Sequence, residues 1–148
     1  MEVMRLSEFS RGMKFPEYTY TLSRDIITKF IEGVEESNPL YTDEEYAGKS
    51  RFGCLVVPPT TISLYVTPSR VLKTIDKRTP PGLIQAGQKY AFYRPVALGD
   101  TVTVKAVVTD VYQKKGRDFV VITGEAFTPD GEKAALSTLT VIWPPQPE

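Results

Sequence analysis

The chain has 148 residues, with 18 basic side chains, 18 acidic ones and no histidine. That length supports one real core and is short for two, and 41% hydrophobic with 24% charged residues is the make-up of a folded globular chain rather than a disordered one. Balanced charge gives no long-range field for nucleic acid or an anionic surface, and no apolar run reaches bilayer-spanning length, so neither a nucleic-acid nor a membrane partner is expected.

The single cysteine, Cys54, excludes an internal disulfide and a multi-thiolate metal site. Without histidine there is no Ser-His or Cys-His machinery, no His-ligated metal, and none of the commonest general base. Any acid–base chemistry falls to carboxylates, tyrosine, lysine or backbone amides. The N-terminus (Met1-Glu2-Val3-Met4-Arg5-Leu6) lacks the charged-then-apolar layout of a signal peptide, so the expected location is the cytoplasm. A single domain over 1–148 is expected, with residues 1–14 as an N-terminal arm.

Phe15 to Tyr20 is rich in β-formers, with Pro16 restricting it to an edge or a strand start. Ser23 is an N-cap, Asp25 sits in the first turn, and Ile26, Ile27, Phe30, Ile31 and Val34 give one apolar face, so a helix is predicted from 24 to about 36. Pro39 is expected to end it. Tyr41 to Ser50 reads as a loop and a helical turn capped by Asp43. Cys54 to Val57 is an apolar run predicted to be buried, with Cys54 an inert core thiol. A second, buried helix is predicted from Pro59 or Thr60, broken near Thr67 by Pro68 and resuming over 69–75.

Strands dominate afterwards. Gln88–Tyr93 is one, and Thr101–Tyr112 alternates Val102, Val104, Ala106 and Val108 with polar residues. The stretch 114–117 is a hairpin turn, Asp118–Phe127 the return strand, Pro129-Asp130-Gly131 another turn, and Lys133–Trp143 the closing strand. This segregated order predicts an α+β fold, an antiparallel sheet wrapped around a central helix.

At this point two motifs carry a resemblance. Phe30 followed by Asn38-Pro39-Leu40, Asp43, Tyr46 and Ala47, and later Arg94-Pro95-Val96-Ala97-Leu98-Gly99-Asp100, resemble the MaoC-like hydratases and dehydratases of the hot-dog fold. Val57-Pro58-Pro59-Thr60 is most similar to that family's N-terminal-domain type. The resemblance implies a single hot-dog domain and water addition to, or loss from, an acyl thioester of CoA or acyl carrier protein, with no cofactor. In the family an Asp/His pair handles the water, an Asn supports the pair, and a glycine amide polarises the thioester carbonyl. Here Glu36 stands at the Asp position, Tyr41 at the His position and Pro59 at the glycine. Tyrosine ionises near pH 10, far from neutrality, and proline has no N–H to donate.

The reading implied is therefore a non-catalytic, acyl-binding subunit paired with a catalytic hot-dog partner, as a heterodimer, with a homodimer as the alternative. Glu36, Asn38 and Tyr41 occupy the catalytic positions, and Asp43, Val57, Pro59, Thr60 and Arg94 the substrate-binding ones. The alternatives are an autonomous acyl-CoA hydratase using Glu36 as base, an acyl-CoA binding module without turnover, and, ranked behind them, a thioesterase. Each residue also has a plainer role: Glu36 an exposed last-turn carboxylate, Asn38 a helix stop, Tyr41 a packing residue, Asp43 an N-cap and Arg94 a surface charge. Lys114, Lys115 and Arg117 read as a solvated turn, or as a seat for a pantetheine phosphate.

Overall fold

Alternation decides the sheet. In the computed structural model, which describes residues 1–146, Val102, Val104, Ala106 and Val108 all turn inward along β3 (Thr101–Lys114). Val120, Ile122, Gly124 and Ala126 do the same along β4 (Arg117–Phe127). Together with β1 (Tyr18–Thr21), β2 (Ile84–Phe92) and β5 (Lys133–Trp143) they make one antiparallel sheet of order β1-β3-β4-β5-β2. The β3–β4 hairpin pairs Lys114 with Arg117. Lys115 and Gly116 between them both have positive φ, 50° and 72°, the handedness that matches the twist of the flanking strands.

Pro147 and Glu148, the end of the expected domain, lie outside the described residues. The first fourteen residues run against the core, with Met4 1% and Phe9 6% exposed. Phe9 meets Trp143 edge-on at 4.9 Å.

The helices are shorter than the sequence suggests. Helix α1 spans Arg24–Gly33, capped by the Ser23 hydroxyl, and buries Ile27 and Ile31. It stops well before Pro39 because Glu35 takes a left-handed conformation, φ 55°. The Glu36 amide then donates back to Ile31 O at 3.0 Å and the Glu35 amide to Glu32 O at 3.2 Å. This is a Schellman termination; local closure, not proline, ends the helix, and Val34 is left 54% exposed. Helix α2 covers Glu44–Gly48, with Asp43 accepting from the Tyr46 amide.

The buried segment begins as a 3-10 turn over Pro59–Thr61 and continues as α3, Ile62–Tyr65. Thr67 breaks the run by capping the next piece, α4 (Pro68–Leu72), through its side chain. Ile62, Tyr65, Val66, Val71 and Leu72 are all at most 2% exposed. The Tyr18 hydroxyl, reaching over from edge strand β1, donates to Tyr65 O at 2.5 Å. Cys54 corrects an expectation: it is exposed, because Gly53 turns the chain at φ 70° and the buried run starts only at Leu55. Strand β2 begins earlier than predicted, at Ile84, since β5 is long enough to pair it through Ile142, at the cost of an irregularity between Gln85 and Gly87.

The buried segment and the sheet meet closest at Gly124, where an added Cβ would lie 2.6 Å from Val66 Cγ1. Gly124→Ala is therefore expected to destabilise by about 1–3 kcal/mol through overpacking. Denaturant titration should show it, and Val66→Ala should restore most of the loss. Burial also raises the Tyr18 hydroxyl to about 12, against a smaller opposing pull from Arg70. It raises Tyr65 likewise, with a smaller contribution from Tyr18. The folded chain keeps these protons after the unfolded chain, titrating near about pH 10, has lost them, so unfolding gains as pH rises. Thermal melts should be flat to about pH 9.5 on this account and fall from about pH 10 upward.

Candidate functional site

The loop after α1 is held by its own side chains. Glu36 Oε1 accepts from the Ser37 and Asn38 amides at 2.9 and 3.0 Å. Asn38 Oδ1 accepts from the Leu40 amide at 3.0 Å, and the Tyr41 amide closes on Asn38 O at 3.1 Å. Pro39 O accepts from Asp43, whose carboxylate in turn caps α2. These local bonds, each of the kind that competes with regular structure, make a compact bridge from one helix to the next. The bridge is tied to the buried run where the Val56 amide donates to Leu40 O at 3.3 Å. On the far side the Val57 amide donates to Val96 O at 2.9 Å and the Leu98 amide to Leu55 O at 3.0 Å.

Between these segments and the sheet lies a pocket of about 270 Å³. Its walls are Leu40, Val56, Val57, Pro58 and Pro59 on one side and Phe92, Pro95, Val96, Ala134 and Ala135 on the other. The polar groups on it are Tyr41, Thr61, Tyr65 and Tyr93, with Arg51 and Arg94 beside them. No carboxylate, lysine or cysteine borders this pocket.

Of the residues singled out from the sequence, Tyr41, Val57, Pro59 and Arg94 line the pocket. Glu36, Asn38, Asp43 and Thr60 do not: Glu36, Asp43 and Thr60 are exposed, and Asn38 is half-buried in its turn. The Glu36 charge is nevertheless felt by Tyr41, whose hydroxyl is raised above its ordinary range mainly by burial and secondly by Glu36. Tyr41 is thus a protonated hydrogen-bond donor near neutrality, not a base. Arg94 Nη2 lies 3.4 Å from Glu132 Oε2 in a half-exposed pair, a geometry in which solvent screens most of the attraction. Arg51 lies over the Phe52 ring, 4.8 Å from its centroid. Both guanidinium groups also border the adjoining groove, which runs past Cys54 and Thr128.

Several pocket residues escaped the sequence reading. Phe92 and Tyr93 follow a strand pattern and precede Arg94-Pro95, a cluster of aromatic and cationic residues that was signal enough. Ala134 and Ala135 gave none, because the β2–β5 register sets Ala135 opposite Phe92 and Ala134 O accepts from the Tyr93 and Arg94 amides just beyond. Among the described residues no group of three acidic or cysteine side chains is placed to hold a metal ion, and no helix is long and apolar enough to cross a membrane.

Residues 10–137 match the family described as FAS1-like, dehydratase domain region. The chain belongs to that family. Its fold is the hot-dog fold of MaoC-like hydratases and dehydratases, a family of hydro-lyases. The chain superimposes on the (R)-hydratase from A. caviae involved in PHA biosynthesis with a TM-score of 0.76, at 25% identity, covering 92% of this chain and 98% of that one. The HadBC (3R-hydroxyacyl-ACP dehydratase) complex from Mycobacterium tuberculosis is likewise 25% identical, with a TM-score of 0.75 over 89% of this chain and 96% of that one. A UPF0336 protein of Streptomyces avermitilis is 29% identical across 94% of this chain and 95% of its own length. The solved structures it resembles thus include an (R)-hydratase and a 3R-hydroxyacyl-ACP dehydratase complex.

The loop carrying the family motif is strained at one position. Glu35 holds a left-handed backbone that costs an L-residue about 1–2 kcal/mol and glycine little. Glu35→Gly is expected to stabilise the chain by about 0.5–1 kcal/mol, net of the entropy glycine adds to the unfolded state. A rise of a few degrees in melting temperature is the check, and a fall would mean that the Glu35 side chain makes up for the strain.

Proposed function

We propose that this chain is the acyl-binding subunit of an enoyl-thioester hydratase or 3-hydroxyacyl-thioester dehydratase, with the catalytic pair supplied by a second hot-dog subunit. The observation that carries the reading is the pocket lining: apolar walls with tyrosine, threonine and arginine, and no carboxylate or lysine in a chain without histidine. Such a pocket shelters an acyl chain and orients its head, but offers no group to take a proton from water near neutral pH. Pro59 removes the amide that would face a developing enolate, and loss of one such donor alone costs roughly a hundred- to a thousandfold in rate.

In this reading Val57 and Pro59 form the wall beside the acyl group, and Thr60 sits at the mouth. Asn38 and Asp43 are scaffold residues that fix the bridge carrying Tyr41. Arg94, joined by Arg51, meets the phosphate of a CoA or carrier-protein arm. A second subunit finds its place along β2, an edge strand with Ile84 and Phe92 about half exposed, as is Tyr93 just past its end. An unpaired edge of that length and apolarity is one that proteins ordinarily cover. Phe92 and Tyr93 also border the pocket, so a subunit docked there closes the pocket mouth.

One observation favours a second reading, an autonomous hydratase in which Glu36 is the base: the Glu36 charge acts on Tyr41 inside the pocket wall. Against it, Glu36 Oε1 is already taken by two backbone amides.

Crotonyl-CoA hydration by the purified chain, alone and with the hot-dog subunit that co-purifies from the source, separates the two. Turnover alone is expected to be at least about a hundredfold below that of the pair, and Glu36→Gln should leave the pair's rate within about twofold. Substantial turnover by the isolated chain, abolished in Glu36→Gln, would establish the second reading instead. Calorimetric binding of a CoA thioester with no turnover in either preparation would make the chain a binding module.

A further inference from the structure

Two polar side chains of the pocket wall come from the buried run itself. Thr61 and Tyr65 are four residues apart, so they share one face, a turn from each other. Both border the pocket, yet Thr61 is only 1% exposed and Tyr65 2%. The Thr61 hydroxyl donates to Pro58 O at 2.7 Å; its proton is committed and its oxygen lone pairs are left to accept.

Tyr65 is placed differently. Its carbonyl is used by Tyr18, while its hydroxyl makes no hydrogen bond with any described residue. Among those residues the side-chain polar atom that is both sealed from solvent and unpartnered is Trp143 Nε1. The Tyr65 hydroxyl is not among such sealed atoms, and the cavity that its residue borders is the pocket. Burial holds the group protonated, so it is a standing donor with no acceptor among the described residues.

A plain hydrocarbon tail sliding past Tyr65 would displace the water on that hydroxyl and return nothing, whereas a chain carrying an oxygen would replace the lost bond. A hydroxyl substituent suits both members of the pair, accepting from Tyr65 and donating to Thr61. The reacting carbons belong at the exposed mouth, by Tyr41, Phe92 and Tyr93; Thr61 and Tyr65 lie deeper and face the chain beyond them. We propose that Thr61 and Tyr65 form a hydrogen-bonding station that recognises an oxygen substituent on the tail of the acyl group, so that the pocket selects oxygenated acyl chains over aliphatic ones of equal length. This rests on the acyl-thioester reading and gives it a substrate class.

The test is calorimetry on the full chain, with its co-purifying subunit present, using hexanoyl-CoA against 5-hydroxyhexanoyl-CoA and 6-hydroxyhexanoyl-CoA. At least one hydroxylated chain should bind about ten- to a hundredfold more tightly than hexanoyl-CoA. In Tyr65→Phe, which keeps the ring that packs 5.5 Å from Tyr20, the preference should fall to within about twofold as hexanoyl-CoA binding holds or improves. Equal affinities in the wild type overturn the proposal, as does a preference that survives Tyr65→Phe. If the variant fails to fold, the wild-type comparison decides. Binding of none of the three thioesters defeats the acyl-thioester reading itself, and the station with it.

Discussion

The contact on which the molecule depends is the seating of the Ile62–Val66 segment against β4. A glycine at 124 lets the Val66 side chain occupy the space where a Cβ would otherwise stand. That close approach sets how deep the buried run lies in the curl of the sheet, and hence where Thr61 and Tyr65 end up. The run is short, a 3-10 turn and one α-helical turn, and has little intrinsic stability. It stands because Ile62, Tyr65 and Val66 are almost wholly removed from water, and because the Tyr18 hydroxyl and the Arg70 guanidinium donate to the Tyr65 and Leu64 carbonyls near its end.

From this seating the pocket follows. The buried run and the sheet form two sides, and the bridge from Glu36 to Asp43 forms the rim. The rim is built almost wholly from local hydrogen bonds, in which Glu36 and Asn38 satisfy backbone amides rather than reaching into the cavity. The resemblance puts the family's chemistry at this rim. In this chain the carboxylate there is occupied and solvent-facing, the tyrosine is a donor, and proline stands where an amide would help. On the proposed reading what remains is a binding surface, with polar groups suited to holding oxygen rather than moving protons.

The strand pattern was legible because each strand has one buried and one wetter face, and period-two alternation has no other simple cause. Val102 to Val108 announced β3 and its orientation without help. The α+β class and the hot-dog expectation followed from element order and two separated motifs. Helix ends were less legible. Pro39 looked like the stop for α1, but Glu35 had already turned the chain, and nothing in a lone glutamate announces a left-handed conformation. Cys54 looked buried because it adjoins Leu55, Val56 and Val57, and only the reversal at Gly53 places it outside.

The sequence by itself determined the chemistry on offer: no histidine, one cysteine, and Glu36, Tyr41 and Pro59 at the places to which the resemblance assigns the family's catalytic groups. It also determined the class of fold, since periodicity and turn residues are local properties. Tertiary structure alone decided which of those groups share a cavity. Tyr41, Val57, Pro59 and Arg94 meet because the sheet folds residues far apart in the chain onto one buried run, while Glu36 is drawn away by amides one and two residues along. Tyr65 became a candidate only in three dimensions, because an unpartnered hydroxyl is a property of its surroundings and not of the residue.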